Sequence, residues 1–194
     1  MTIQTLQLPI FPLPVFLLPG GITRLRIFEA KYLKMIPMAI KGQGFVICFN
    51  ELSNNLSSIN NNKQWGSWVE VINFHQGLDG ILEVDVKCQS LVNIHAITED
   101  KNQLYRGDVS CFEHWANTNL NAGTDGLSTS LVDVFESSPL LEELYSDIPK
   151  NNAHWVVARW LELLPLEQIE KNEFVDKYNF FQAKKFIHDI IFKS

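Results

Sequence analysis

LPIFPLPVFLLPGGITRLRIFEAKYLKM, residues 8–35, decides the fold. Pro9, Pro12 and Pro14 carry no backbone donor, so LPIFPLPVF is restricted to an edge strand or an extended segment. Pro19-Gly20 suits positions i+1 and i+2 of a type II turn, where proline presets φ and glycine accepts a positive φ. LRIF, residues 25–28, reads as a short strand. From Glu29 a helical period begins, with Tyr32, Leu33, Ile36 and Ile40 on one face and Lys31, Lys34 and Lys41 mostly elsewhere. Pro37 removes the bond to the Leu33 carbonyl, so a kink or an end near Ile36 is expected. Gly42-Gln43-Gly44 leaves that helix and enters a strand, which makes it a capping turn and not a phosphate loop.

Outward from this stretch, β-branched and aromatic residues alternate with polar ones as far as about residue 115. FVICFN (45–50), WVEVINFH (68–75), ILEVDVKC (81–88), LVNIHAI (91–97) and LYRGDVSCF (104–112) each read as a strand. Asp79-Gly80 is a hairpin-turn dipeptide between two of them. Several short strands with turn signals between them suggest a closed or nearly closed barrel. Residues 50–64 interrupt the series with six asparagines in positions 50–62, a composition expected to stay solvated and mobile. A second polar stretch, residues 117–130, has no Lys or Arg, and beyond it the period turns helical: helices are expected over 127–135, 139–145, 152–164 and 176–191. The expected organisation is a β subdomain over residues 1–117, then a polar linker and helical subdomain over 118–194.

The 194 residues carry a net charge of −6, with 46% hydrophobic and 20% charged residues, an ordinary soluble composition. Residues 1–117 hold 9 Lys and Arg against 10 Asp and Glu, and the remainder 7 against 12. Neither part has the basic excess that phosphate-backbone binding draws on, so nucleic acid is disfavoured as a partner. The first 23 residues are uncharged, but Pro9, Pro12, Pro14 and Pro19 would break a spanning helix. A basic n-region and a cleavage site are also absent there, so a cytoplasmic protein without a membrane partner is expected. Cys48, Cys88 and Cys111 are far apart, and the apolar runs around Cys48 and Cys111 favour buried, reduced thiols.

The ordered set of LPxFPL strand, Pro-Gly turn, LRIFE segment and tyrosine-bearing helix resembles the N-terminal domain of the Lon protease family. At lower specificity Trp65-Gly66-Ser67, Asp79-Gly80, Tyr105 with Gly107 and Val109, and Leu163-Leu164-Pro165 extend the likeness. Where that family often has Gly-x-x-Arg-Phe after the Asp-Gly hairpin, Cys88 and Leu91 stand in the Gly and Arg places. The resemblance implies an α+β fold: a PUA-like β pseudo-barrel with one inserted helix, followed by an α-helical subdomain. It also implies recognition of unfolded or extended polypeptide. In full Lon proteases ATPase and Ser-Lys peptidase modules follow this region; their motifs are missing here, and a stand-alone form is expected.

No catalytic or metal-binding motif is visible elsewhere in the sequence. The five histidines show no HxxxH spacing, no GxSxG elbow occurs, and the acidic pairs Glu142-Glu143 and Glu167/Glu170 have the spacing of a wet helical face. No catalytic residue, metal or cofactor is expected, and the chain is not read as an enzyme. The expectation is a protein- or peptide-recognition module that hands its client to a protease or chaperone, with a PUA-like nucleic-acid-binding module as the alternative. The expected peptide-binding residues lie where the resemblance is strongest. Phe16 and Leu17 would offer an exposed apolar strip, an edge able to receive an extended peptide, and Arg26 with Glu29 would hold the strand–helix corner beside Tyr32.

Overall fold

Strand β1 (Leu6–Pro12) lies between two strands of the sheet but is paired on one side at a time, so each proline-bearing half is locally an edge. Residues 6–10 pair antiparallel with β6 (Tyr105–Cys111), and residues 10–12 pair parallel with β3 (Phe45–Cys48). The strand changes partner at Ile10, so each proline-bearing half has one paired side and a missing donor can face the other. These features belong to a computed structural model that describes residues 5–49, 64–115, 123–124 and 126–193. The expected excursion at 50–64 lies outside the described residues except for Gln64, which opens β4 (Gln64–Gln76). Part of the expected linker, residues 117–122 and 125, lies outside them too, and Leu127 already begins a helix.

The chain divides into two compact units, residues 1–112 and 113–194. In the first, six strands form one mixed sheet, giving an α+β fold. Its order is β2 (Ile22–Ile27), β5 (Leu82–Glu99), β4, β3, β1, β6, and β6 pairs again with β5. The two expected strands 81–88 and 91–97 are one 18-residue strand, because KCQS contains no residue that stops a ladder. Instead Gln89 is an extra residue between Cys88 and Ser90, which face Val69 and Trp68. Ile72 and His95 are extra in the same way. Such bulges add local twist and bend, which lets one strand serve β2 at its start and β6 at its end.

Pro19 and Gly20 form the expected turn: the Gly21 N–H donates to the Leu18 carbonyl at 2.9 Å and Gly20 has φ 81°. Helix α1 (Ala30–Lys41) continues through Pro37 instead of ending near Ile36. Its buried face is Tyr32, Met35, Ile36 and Ala39, while Leu33 and Ile40 are exposed. A parallel β1–β3 pair needs a crossover, and β2 with α1 supplies it. The Tyr32 ring packs 4.2 Å from that of Phe11, which lies 6.1 Å from Phe45, so β3 is buried on both faces. Leu8, Ile10, Val46, Cys48, Val92, Ile94, Ile97 and Val109 form the apolar cluster on the other side. Gly66 and Gly107 touch this cluster, since a Cβ on either would press on Val46 or Ile10.

The second unit consists of α2 (Leu127–Glu136), α3 (Pro139–Leu144), α4 (Ala153–Leu163), α5 (Gln168–Asn172) and α6 (Phe180–Lys193). Helix α4 is buried nearly all round and takes Arg159 inside, where Glu162 accepts a 2.7 Å bond and the guanidinium lies over Trp155. Glu167 and Glu170, read as a wet helical face, are exposed and form the capping box of α5, which falls between the helix ranges expected. Trp115 is buried with its Nε1–H on the Phe174 carbonyl, stacked on His114 and edge-on to Phe180. Burial pushes the His114 imidazole down to about 4, and its Nδ1 lies 2.7 Å from the Val175 carbonyl oxygen. Cys48 and Cys88 are buried as expected; Cys111 is exposed, because it is the last residue of β6.

Candidate functional site

The five expected site residues do not form one surface. Phe16 is half-buried and meets Trp65 edge-on at 5.7 Å, and Trp65 in turn lies 6.3 Å from Phe112. Leu17 is 3% exposed, so it belongs to the core and cannot offer an apolar strip. Its carbonyl accepts from the buried Ser67 hydroxyl at 2.5 Å. Tyr32 is buried as well, and desolvation raises the pKa of its phenol above the ordinary value.

Arg26 and Glu29 are exposed but do not pair with each other. Glu29 occupies the N-cap position of α1 with extended backbone, and its carboxylate is 3.8 Å from Lys31. Arg26 stands opposite Glu83 in the β2–β5 register, 3.7 Å from it, and also pairs with Asp79 in the hairpin loop. The Ile81 N–H, and after it Arg26, holds the Asp79 carboxyl below its usual range. The strand–helix corner is therefore tied to the β4–β5 hairpin and not closed within itself.

One face of this hairpin carries a polar ladder set by register. Arg24, Asp85 and Asn73 stand in one row; Arg26, Glu83 and His75 stand in the next. Arg24 grips Asp85 with both ends of its fork, Nε to Oδ1 at 2.7 Å and Nη2 to Oδ2 at 3.0 Å, and Asn73 adds a bond at 3.3 Å. His75 lies 3.0 Å from Glu83. The charges are engaged with one another, which leaves the ladder as a strut and not an anion receptor.

Four exposed apolar groups adjoin the ladder residues in sequence, Ile72 and Phe74 on β4, Leu78 at the hairpin tip and Phe28 after β2, while Leu33, Met38 and Ile40 on α1 and Phe49 after β3 are exposed as well. Phe74 is 58% exposed although its cross-strand neighbour Val84 is fully buried. Sequence reading missed this group. The alternation in VINFHQGLDG marks a strand but does not say that the strand outruns the core covering it. Among the described residues no three His, Cys, Asp or Glu side chains are placed to hold a metal. His75 and His95 do not meet; His95 is 2.7 Å from Ser110 instead. No helix among the described residues is long and apolar enough to cross a membrane.

The family model described as the ATP-dependent protease La (LON) substrate-binding domain matches residues 7–179. A solved Lon N-terminal domain protein from Xanthomonas campestris is 26% identical, with a TM-score of 0.67 over 94% of this chain and 96% of that one. The N-terminal domain of a Mycobacterium avium complex Lon protease, 11% identical, superposes with a TM-score of 0.64 over the same shares and shares the fold. No curated protein sequence matches the chain.

Proposed function

Since the chain belongs to the family of LON substrate-binding domains, we propose that it is a non-enzymatic recognition module for unfolded or extended polypeptide. Its client would pass to a protease or chaperone partner, in the cytoplasm. The observation that carries the reading is the match over residues 7–179, a substrate-binding region and not a catalytic one. Phe16 supplies the apolar contact together with Trp65 and Phe112, whose rings are half-buried and close enough to act as one surface. Leu17 and Tyr32 act from beneath, by seating the Phe16 segment and the start of α1. Arg26 and Glu29 remain the exposed polar groups of the corner.

Partly exposed aromatic side chains are the usual anchors of recognition surfaces. A disordered client loses ordering entropy on binding, so the affinity is micromolar or weaker, on the order of −8 kcal/mol or less favourable. Titration with a denatured protein and with an RNA oligomer, each at low and high salt, tests the proposal. Denatured protein binds at both salts, and Phe16→Ala weakens it several-fold. Salt-sensitive RNA binding without polypeptide binding would replace the reading with nucleic-acid recognition.

A further inference from the structure

We infer that an extended client segment pairs as an added strand with the outer side of β4, at Phe74 and Gln76. This rests on the polypeptide-recognition reading and adds the mode of capture. Beyond Val69, the last residue of β4 that β3 reaches, β4 has β5 as its one strand partner among the described residues. The loop bond from the Gly77 N–H to the Ile81 carbonyl, 2.8 Å, sets the alternation along the hairpin. His75 and Asn73 then point their backbone groups at β5, and Phe74 and Gln76 turn theirs outward. The Phe74 N–H agrees with this: it donates 2.9 Å to the side-chain oxygen of Asn73 and not across the ladder. An edge donor held by its neighbour's side chain is a weak local cap that a better acceptor displaces.

Such an edge selects its ligand by chemistry. Outward N–H and C=O groups two residues apart match an extended backbone, and the exposed Ile72 and Phe74 favour a segment with apolar side chains. The nearby cations are already matched by carboxylates, Arg26 by Asp79 and Glu83 and Arg24 by Asp85, so a phosphate backbone finds little positive charge to pair with. The opposite edge, β2, differs because it carries Arg24 and Arg26, charges of the kind that guard an edge against pairing. The bulge at Ile72 confines pairing to the residues after it, which makes the added ladder short and the capture weak.

Amide exchange of the full chain, resolved by residue, tests this with a labelled, reduced and alkylated polypeptide as probe. At nine-tenths saturation, exchange at Phe74 and Gln76 slows roughly tenfold, because those amides exchange only from the free fraction. Gln76→Pro removes one outward donor and spares the ladder to β5; it also removes the exposed Gln76 Nε2 bond to the Gly80 carbonyl, so it weakens binding several-fold with a small change in thermal stability. Polypeptide binding without slowing at Phe74 and Gln76 would overturn strand addition and leave recognition standing. Slowing that follows protein concentration without polypeptide would make a second copy the occupant and overturn it too. Absence of any polypeptide binding would remove both.

Discussion

His114 and Asp85 show what single residues contribute, and neither was legible as more than a histidine in a polar stretch and an acid in an alternating strand. His114 is held neutral in the fold at about 4, below the ordinary 6.5, chiefly by burial. The unfolded chain therefore binds a proton that the folded chain refuses between these two values. Its contribution is intact above pH 6.5 and falls as the pH drops toward 4. At about 1.4 kcal/mol per pH unit, the loss between pH 7 and 5 is about 2 kcal/mol, and His154, lowered in the same direction by burial, adds to it. Urea unfolding at both pH values should show this loss, and His114→Gln should flatten most of it. Asp85 is 4% exposed and receives both ends of the Arg24 fork. Asp85→Ala would remove both bonds of the fork and leave Arg24 with the Glu83 carboxylate 4.0 Å away, and urea unfolding should register a loss of about 2 kcal/mol. Leu17 illustrates the limit of residue-level reading. Leu17 is buried while its neighbour Phe16 is half-buried, and the partner of the Leu17 carbonyl is a hydroxyl 50 positions away.

At the scale of elements, local chemistry was readable wherever it was self-contained. Pro19-Gly20, Asp79-Gly80 and Gly42-Gln43-Gly44 make the turns their residues demand, with Gly20, Gly80 and Gly44 at positive φ. Asn152, expected inside a helix over 152–164, instead caps α4 by accepting from the Trp155 N–H at 3.1 Å. Asn152→Ala should cost about 1 kcal/mol, measurable as a lowered urea midpoint with unchanged slope. What failed depended on distant partners. The donor deficit of β1 was rightly recognised, but its change of neighbour at Ile10 follows from where β3 and β6 arrive. The buried face of α1 is rotated from the expected one, because Phe11 lies against Tyr32 and periodicity alone does not choose between Met35 and Leu33. β5 was divided because a bulge residue such as Gln89 interrupts alternation just as a turn does.

For the molecule as a whole, the family and the α+β class were legible in residues 8–35, since turn, strand and helix signals there occur in one order. The candidate site was legible only in part: Phe16 has its aromatic partners, but the corner of Arg26 and Glu29 is tied to Asp79 and Glu83 through a hairpin 50 residues on. The exposure of Ile72, Phe74 and Leu78 depends on where the core stops, which pattern does not encode. The central claim is that apolar surface on this chain captures unfolded polypeptide. Calorimetric titration with a permanently unfolded polypeptide, repeated at several temperatures and two salt concentrations, tests it most directly. Burial of apolar area predicts weak, salt-tolerant binding with a negative heat-capacity change. A heat-capacity change near zero, or binding abolished by salt, would contradict the account.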